Sequence, residues 1–217
     1  MMKAIDPFAG PVAVWSGLFR VLSLLILLMS LGACKTGARL EPIAPDGKIL
    51  AFGDSLTFGT GVLPEQSYPA ILQNQIKREV INAGVPGEIT AEGLRRLPIW
   101  LKENEPRLLI LTHGANDMLR ALSEEKLADN LRAMIRLAQE QGVEVMLVAV
   151  PRFGLNLSPP PYYEAIAKEF NIPIERHALA DIERVNGLKV DAVHLNAEGN
   201  RLLAQAIAKR LKKAGAL

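Results

Sequence analysis

Residues 48–59 read KILAFGDSLTFG, in which a short, unbroken apolar run leads directly into a polar turn. An apolar run of this length, at 49–52, is typical of a buried β-strand. Gly53, Asp54 and Ser55 interrupt the run and predict a turn, with Asp54 fixing its geometry through hydrogen bonds to the backbone. Open α/β sheets carry out their chemistry beyond the carboxyl ends of their strands, so Ser55 is the first candidate for a reactive side chain.

The rest of the chain alternates apolar strands with amphipathic helices. Further strands are predicted at 80–83, 107–112 and 143–150, with a short edge strand at 172–174. Two helices are predicted at 67–78 and 123–141, and a third begins at Thr90 with a bend or break at Pro98. A fourth helix ends near residue 170, and a fifth begins at Asn196. Strands that are apolar along their length predict a parallel sheet covered on both faces, and so a three-layer α/β/α sandwich with a flavodoxin-like strand order of 2-1-3-4-5.

This topology predicts where the polar segments meet. Right-handed crossovers bring the carboxyl ends of all parallel strands to one edge of the sheet. Ser55 follows the first strand, Gly87 the second and Asn116 the third, with Asp117 expected to fix the turn beside Asn116. Since the first strand lies between the other two in the order 2-1-3-4-5, we expect these segments to share one pocket.

Composition excludes several other classes of protein. The chain has 217 residues and a formal net charge of +2, which suits one domain with an N-terminal extension. Aromatic residues make up 5% and charges of both signs are interspersed, so nothing favours nucleic-acid binding. The three histidines are too scattered for a metal cluster, and the single cysteine, Cys34, has no partner for a disulfide or a thiolate metal site.

The first 33 residues have the pattern of an export signal. Lys3 and Arg20 precede an apolar run at 21–31, and residues 31–34 read LGAC, so a charged leader and a hydrophobic core end at small residues. The LGAC segment resembles a bacterial lipobox, which implies cleavage before Cys34 and lipidation of its thiol. The alternative is a retained membrane helix at 12–33, which would carry Arg20 near its middle at a cost of about 2.5–3.5 kcal/mol.

Either alternative places the body outside the cytoplasm and attaches it to a membrane. The residue after Cys34 is Lys35 rather than an acidic inner-membrane retention residue, which favours an outer-membrane lipoprotein facing the periplasm if the source is Gram-negative. Residues 34–47 are predicted to form a tether, because they are rich in alanine, proline and glycine in a polar setting. Residues 48–217 are then the catalytic domain.

A serine hydroxyl needs a base before it can act as a nucleophile. Residues 191–194 read DAVH, a spacing that lets Asp191 hold the Nδ1–H of His194 and leaves Nε2 free to meet the Ser55 hydroxyl. The backbone N–H groups of Ser55 and Gly87 and the side-chain amide of Asn116 are candidate donors to an oxyanion. Two other histidines have simpler interpretations: His113 is expected to pack at a strand end or line the pocket, and His177 to lie at the surface or at a cap.

These segments together resemble the SGNH (GDSL) hydrolase family over residues 48–217. The matches to its four blocks are GDSL at 53–56, NAGVPG at 82–87, GAND at 114–117 and DAVH at 191–194. Gly87 fits the oxyanion glycine of the family better than Gly84. Leu195 departs from the proline that relatives often carry after the histidine, which removes no catalytic group. The resemblance is closest to the thioesterase I/lysophospholipase/arylesterase branch.

The resemblance implies a serine esterase that acts on carboxylic esters or thioesters, those of lipids among them, without a metal or organic cofactor. Ser55 would attack the carbonyl, His194 would take and return the proton, and Asp191 would orient His194. The alternatives are a carbohydrate O-acetylesterase acting on cell-envelope polysaccharide and a catalytically idle envelope lipoprotein that binds lipid or glycan. Four apolar residues fall on loops expected to rim the pocket, where they would suit an acyl or aryl group: Phe58, Leu119, Phe153 and Leu155.

Overall fold

The computed structural model describes residues 37–154 and 157–217. In this part of the chain a five-stranded sheet has the order β2-β1-β3-β4-β5, and its paired strands are parallel, as the alternation of elements predicted. The strands are β1 (Ile49–Gly53), β2 (Val80–Gly84), β3 (Leu108–Thr112), β4 (Glu144–Val148) and β5 (Ile174–Glu175). The helices are α1 (Ser55–Phe58), α2 (Tyr68–Ile76), α3 (Thr90–Asn104), α4 (Ala115–Leu119), α5 (Glu124–Glu140), α6 (Pro161–Glu169), α7 (Ala178–Glu183) and α8 (Ala197–Ala214).

The two central strands are covered on both faces. Every residue of β1 and β3 is buried, which requires a layer of helices on each side because neighbouring side chains of a strand point to opposite faces. The helices form two packed groups, one containing α2, α7 and α8 and the other containing α3, α5 and α6. The predicted α/β/α sandwich is therefore confirmed.

Helix ends follow the local signals closely. The Ser123 side chain accepts a hydrogen bond from the N–H of Lys126 at the start of α5. Asn196 does the same for the N–H of Gly199 at the start of α8. Such caps satisfy N–H groups that have no partner inside the first turn. Helix α7 was not predicted, and β5 lies slightly beyond the edge strand predicted at 172–174.

Of the bend or break predicted at Pro98, a break does not occur. Helix α3 continues from Thr90 to Asn104 with Pro98 inside it. Pro98 is exposed, whereas Leu97 and Leu101 on the inner face are buried. Water can therefore reach the backbone on the outer face where the proline lacks its N–H, while the buried leucines hold the helix against the sheet.

The predicted tether is wrong from Leu40 onward. Leu40 and Ile43 are buried in the core. The N–H of Leu40 donates to the carbonyl of Ala214 and the N–H of Ile43 to that of Ala216, each at 2.9 Å. The two hydrogen bonds join this segment to the end of α8, and burial of the two apolar side chains stabilises it there, so it belongs to the folded body.

The predicted signal segment at 1–33 and the lipidation site Cys34 lie outside the described residues. Among the helices of residues 37–154 and 157–217, none combines the length and the apolar character needed to cross a membrane.

Two glycines let the first turn sit tightly against the sheet. Gly53 pairs with Gly84 of β2 and with Thr112 of β3 at the carboxyl end of the sheet. A Cβ atom on Gly53 would lie 1.9 Å from the Thr112 carbonyl oxygen, and one on Gly84 would lie 2.1 Å from the backbone nitrogen of Phe58. Only glycine fits at both positions, and this close packing holds α1 and its first residue, Ser55, at the sheet edge.

Candidate active site

Ser55 is the first residue of a very short helix. Asp54 caps this helix by accepting a hydrogen bond from the N–H of Leu56 at 3.1 Å, which is the turn-fixing role predicted for it. Gly59 ends the helix in the left-handed conformation at φ 88°. Ser55 itself is only 8% exposed, so its hydroxyl faces a sheltered space at the carboxyl end of β1.

Three residues predicted from the sequence form one chain of hydrogen bonds. The Nε2 atom of His194 lies 3.0 Å from Ser55 Oγ, across 139 positions of sequence. The Nδ1 atom of His194 lies 2.7 Å from Oδ2 of Asp191. Because the Asp191 carboxylate only accepts, Nδ1 carries the ring proton and Nε2 is left to accept the hydroxyl proton of Ser55.

Asp191 is ionised because of its local hydrogen bonds. Burial alone would raise its pKa, but the backbone N–H of Val193 and the ring and backbone N–H groups of His194 outweigh that effect and lower the pKa to about 2. The two backbone bonds to Oδ1 measure 2.9 Å from Val193 and 2.8 Å from His194. The carboxylate therefore keeps its charge throughout the neutral range.

The loop that carries Asp191 and His194 closes on itself. Lys189 and Leu195 form an antiparallel bridge, and the N–H of Val190 donates to the carbonyl of His194 at 2.9 Å. Leu195, where relatives often carry proline, is 3% exposed and packs in the core. Leu195 thus supplies an apolar anchor directly after His194.

Ser55, Gly87, Asn116 and His194 line the same pocket, which has a volume of about 210 Å³. This confirms that the loops after β1, β2 and β3 meet as the strand order predicted. Gly87 has a φ of 79°, and among the described residues outside its chain neighbours, Arg120 Nη2 alone lies within 4 Å of the position its Cβ would take, at 3.8 Å. Gly84, the alternative oxyanion glycine, instead packs under α1 within β2.

Apolar residues form part of the pocket wall. Leu119 and Phe153 line it, and the Leu119 side chain is 51% exposed. Phe58 is equally exposed but is not among the lining residues. Leu155, the fourth residue expected on the rim, lies outside the described residues. Of the three expected rim residues that the structure describes, two therefore touch the pocket.

A buried ionic network behind the pocket was missed by the sequence analysis. The Glu88 carboxylate accepts from Arg96, through Nε at 2.8 Å and Nη2 at 2.6 Å, and lies 3.1 Å from Nε2 of His113. His113 is fully buried, as expected for a histidine that packs at a strand end. Adjacency was the only available signal, since Glu88 follows Gly87 and His113 precedes Gly114. The third histidine, His177, is exposed at the N-cap of α7.

The hydrogen bonds of this network favour the charged form of the Glu88 carboxylate. Burial would raise the pKa of Glu88, but the hydrogen bonds and charges of Arg96 and His113 outweigh it and lower that pKa. The neighbouring Asp117 accepts from the N–H of Thr90 at 2.8 Å and from its hydroxyl at 2.6 Å. Asp117 thus joins its turn to the start of α3, beyond the local role predicted for it.

Comparison with known proteins gives the same family throughout. The sequence profile of the GDSL-like Lipase/Acylhydrolase family matches residues 51–202. Esterase TesA of Pseudomonas aeruginosa is 31% identical over 180 residues, which cover 76% of this chain and 87% of that protein. Thioesterase 1/protease 1/lysophospholipase L1 of Escherichia coli (strain K12) is 28% identical over 172 residues, covering 76% and 83%.

A solved structure agrees with these sequence matches. The psychrotrophic esterase EstA from Pseudoalteromonas sp., in a crystal structure inhibited by monoethylphosphonate, has 25% sequence identity. It superimposes with a TM-score of 0.69 over 77% of this chain and 98% of that chain. The profile covers the segments that supply Ser55, Gly87, Asn116 and His194 to the pocket. The chain therefore belongs to the GDSL-like lipase/acylhydrolase family and is a carboxylic ester hydrolase.

Proposed function

We propose that this enzyme hydrolyses carboxylic esters or thioesters through an acyl-enzyme on Ser55. The observation that carries the proposal is the hydrogen-bond chain from Asp191 through His194 to Ser55 Oγ, with distances of 2.7 and 3.0 Å. A serine whose hydroxyl meets an oriented, unprotonated imidazole nitrogen is an activated nucleophile. A binding protein without catalytic activity has no need of this arrangement.

The reaction proceeds in two steps. As Ser55 Oγ attacks the carbonyl carbon, Nε2 of His194 takes the hydroxyl proton, and the ionised Asp191 stabilises the resulting imidazolium. The imidazolium then gives this proton to the departing alcohol or thiol, which leaves the acyl group on Ser55. Water repeats the attack with His194 again as the base, and the carboxylic acid and the free serine are released.

Stabilisation of the oxyanion requires hydrogen-bond donors close to Ser55 Oγ. We assign this role to the N–H groups of Ser55 and Gly87 and to the Nδ2 amide of Asn116. Nδ2 already donates to the carbonyl of Glu88 at 3.0 Å, which fixes the amide plane and leaves its second hydrogen for the substrate. Donors held in place before the reaction stabilise the developing charge without reorganising.

The pocket also bears on the substrate class. A volume of about 210 Å³ is smaller than the roughly 300–1,000 Å³ of typical small-molecule sites. It accommodates the ester group and a short part of the acyl chain, and a longer chain would lie along the exposed side of Leu119. The similar proteins are named as a thioesterase and lysophospholipase and as an esterase, which supports acyl substrates that include lipids.

Hydrolysis of p-nitrophenyl esters from acetate to palmitate tests the proposal. Ser55→Ala should abolish turnover of every ester that the wild type cleaves, and the exposed Ser123→Ala should retain it. Equal hydrolysis by wild type and Ser55→Ala would refute the mechanism. Activity confined to the acetate would instead support the carbohydrate O-acetylesterase, whose substrates carry only acetyl groups.

We also propose that the enzyme is a lipoprotein of the cell envelope, attached through Cys34. The support is the LGAC segment at 31–34 after an apolar run, and both lie outside the described residues. In a Gram-negative source the expected location is the outer membrane, facing the periplasm. Cys34→Ser should move the protein from the membrane to the soluble fraction. Unchanged membrane retention would favour a spanning helix at 12–33.

A further inference from the structure

One buried residue, Glu88, hydrogen-bonds both to the ionic network behind the pocket and to Asn116, which lines the pocket. Glu88 is 6% exposed and directly follows Gly87 in the loop after β2. Its carboxylate is held by Arg96 of α3 and by His113 at the end of β3. Its backbone carbonyl accepts the hydrogen bond from Nδ2 of Asn116 at 3.0 Å. The position of the Asn116 amide therefore depends on where the Glu88 peptide is held.

Arg96 ties the Glu88 carboxylate to the strands that carry the site. Its Nη2 donates to the carbonyl of Ala83 at 3.1 Å, near the end of β2, and lies 3.5 Å from the carbonyl of Gly53, at the end of β1. Its guanidinium lies 4.0 Å from the centre of the Phe52 ring. A bidentate guanidinium–carboxylate pair fixes direction as well as distance, so the Glu88 side chain is held relative to the strand that delivers Ser55.

His113 contacts Oε2 of Glu88, the same carboxylate oxygen that accepts from Arg96 Nη2. Its Nδ1 accepts from the N–H of Gly114 at 3.0 Å, so the ring proton of the neutral form lies on Nε2 and is donated to Glu88. Space for the ring depends on Gly93 of α3, where a Cβ atom would lie 2.5 Å from His113 Nε2. The carboxylate is thus held from two elements at once.

We infer that Glu88 is a positioning residue for the oxyanion site, acting through the amide of Asn116. This inference rests on the proposed function, because it assigns Asn116 to the oxyanion. An oxyanion donor is effective only within about 0.5 Å of its productive position. Asn116 lies on α4, a helix of five residues, and the Glu88 carbonyl is the hydrogen-bond acceptor that orients its Nδ2. Moving the Glu88 peptide moves that donor.

A double-mutant cycle separates positioning from simple structural support. Glu88→Gln keeps the shape but places an amide where Arg96 and His113 both donate, so the loop shifts. We expect kcat to fall about 10–100-fold with KM changed less than about threefold, the effect of a misplaced transition-state donor. In the Asn116→Ala background the same substitution should lower kcat less than about threefold, because the donor it positions is already absent.

The matched control is Glu144→Gln. Glu144 is a partly buried carboxylate that accepts from the N–H of Glu41 at 2.9 Å, near the amino end of β4 and away from the pocket. It should lower the thermal midpoint without changing kcat. If Glu88→Gln does not fold, Arg96→Lys replaces it in the cycle, since lysine keeps the charge but loses the bidentate contact.

Two results would overturn the inference. One is an unchanged kcat in folded Glu88→Gln, and the other is an equal loss of kcat in the wild-type and Asn116→Ala backgrounds. Neither affects the proposed function, which depends on whether Ser55→Ala retains activity. An inactive wild type would refute the proposed function before the cycle begins.

Discussion

The two sides of the pocket hold their polar groups by different means. We call them the base side and the oxyanion side after their proposed roles. The base side is the loop at 189–195, in which Asp191 and His194 are three residues apart and hydrogen-bond to each other. The Asp191 side chain is 52% exposed. On the oxyanion side, Glu88 and its partner His113 come from loops 25 positions apart, and both side chains are almost fully buried. The hydrogen-bonded residues of the base side are close in sequence and partly exposed to water, whereas those of the oxyanion side are distant in sequence and buried.

This difference has consequences for how each side tolerates change. Water can partly replace a lost hydrogen bond in an exposed loop, and it screens the charges there. A buried carboxylate that loses its partner has no such replacement, so the surrounding loop must move instead. We therefore expect substitutions on the base side to alter protonation and those on the oxyanion side to alter position.

The largest effect is expected on the base side, from Asp191→Asn. The asparagine amide carries no negative charge and can donate its N–H to Nδ1, so His194 adopts the wrong tautomer and kcat should fall about 10⁴-fold. Because the pKa of Asp191 is about 2, the wild type should show no loss of activity from this group between pH 5 and 8. Steady-state kinetics across this pH range measures both effects.

Asp181→Asn is the matched control for Asp191→Asn. Asp181 is also exposed and also pairs with a residue three positions later, Arg184, at 2.6 Å. It should keep full activity. A decrease of less than tenfold for Asp191→Asn would mean that the exposed carboxylate does not set the tautomer of His194.

A smaller effect is expected on the oxyanion side, from Asn116→Ala. Loss of one oxyanion donor typically lowers kcat by about 10²–10³-fold, and KM should change little because the donor acts mainly in the transition state. Asn104→Ala is the control, since Nδ2 of Asn104 also donates to a backbone carbonyl, that of Trp100, but at the far end of α3. A raised KM with an unchanged kcat would assign Asn116 to substrate binding instead.

The smallest effect concerns the support of the base side. The Glu183 side chain is fully buried, with Lys189 Nζ at 3.7 Å, and among the described residues neither carboxylate oxygen has a hydrogen-bond partner. Burial raises its pKa from 4.5 to about 7, against the opposing charge of Lys189. Between these values the folded state keeps a proton that the unfolded state releases, so stability is lost as pH rises through 7.

Glu183→Gln should therefore change the pH dependence of stability. The wild type should lose about 1–3 kcal/mol of unfolding free energy between pH 5 and 8 relative to this variant, measured by urea denaturation at each pH. Glu164→Gln, which removes an exposed partner of Arg176, should follow the wild type. A constant difference between wild type and Glu183→Gln would show that Glu183 does not change protonation on folding.

Agreement between prediction and structure depends on the range of the interaction involved. The strand before Ser55, the caps at Ser123 and Asn196 and the pairing of Asp191 with His194 all arise within a few residues, so spacing and residue type suffice to predict them. Local propensity predicted a bend or break at Pro98, and packing of the inner face of α3 prevents the break.

The sequence by itself determines a parallel sheet through its alternating apolar segments, and it places Ser55, Gly87, Asn116 and the pair of Asp191 and His194 on four loops in chain order. Tertiary packing decides the rest. It brings Ser55 Oγ and His194 Nε2, which are 139 positions apart in sequence, to a distance of 3.0 Å. It also buries Leu40 in the folded body and joins Glu88 to Arg96 and His113. The physical reason is that burial and long-range hydrogen bonding depend on which surfaces meet, and residues distant in sequence do not reveal this by their spacing.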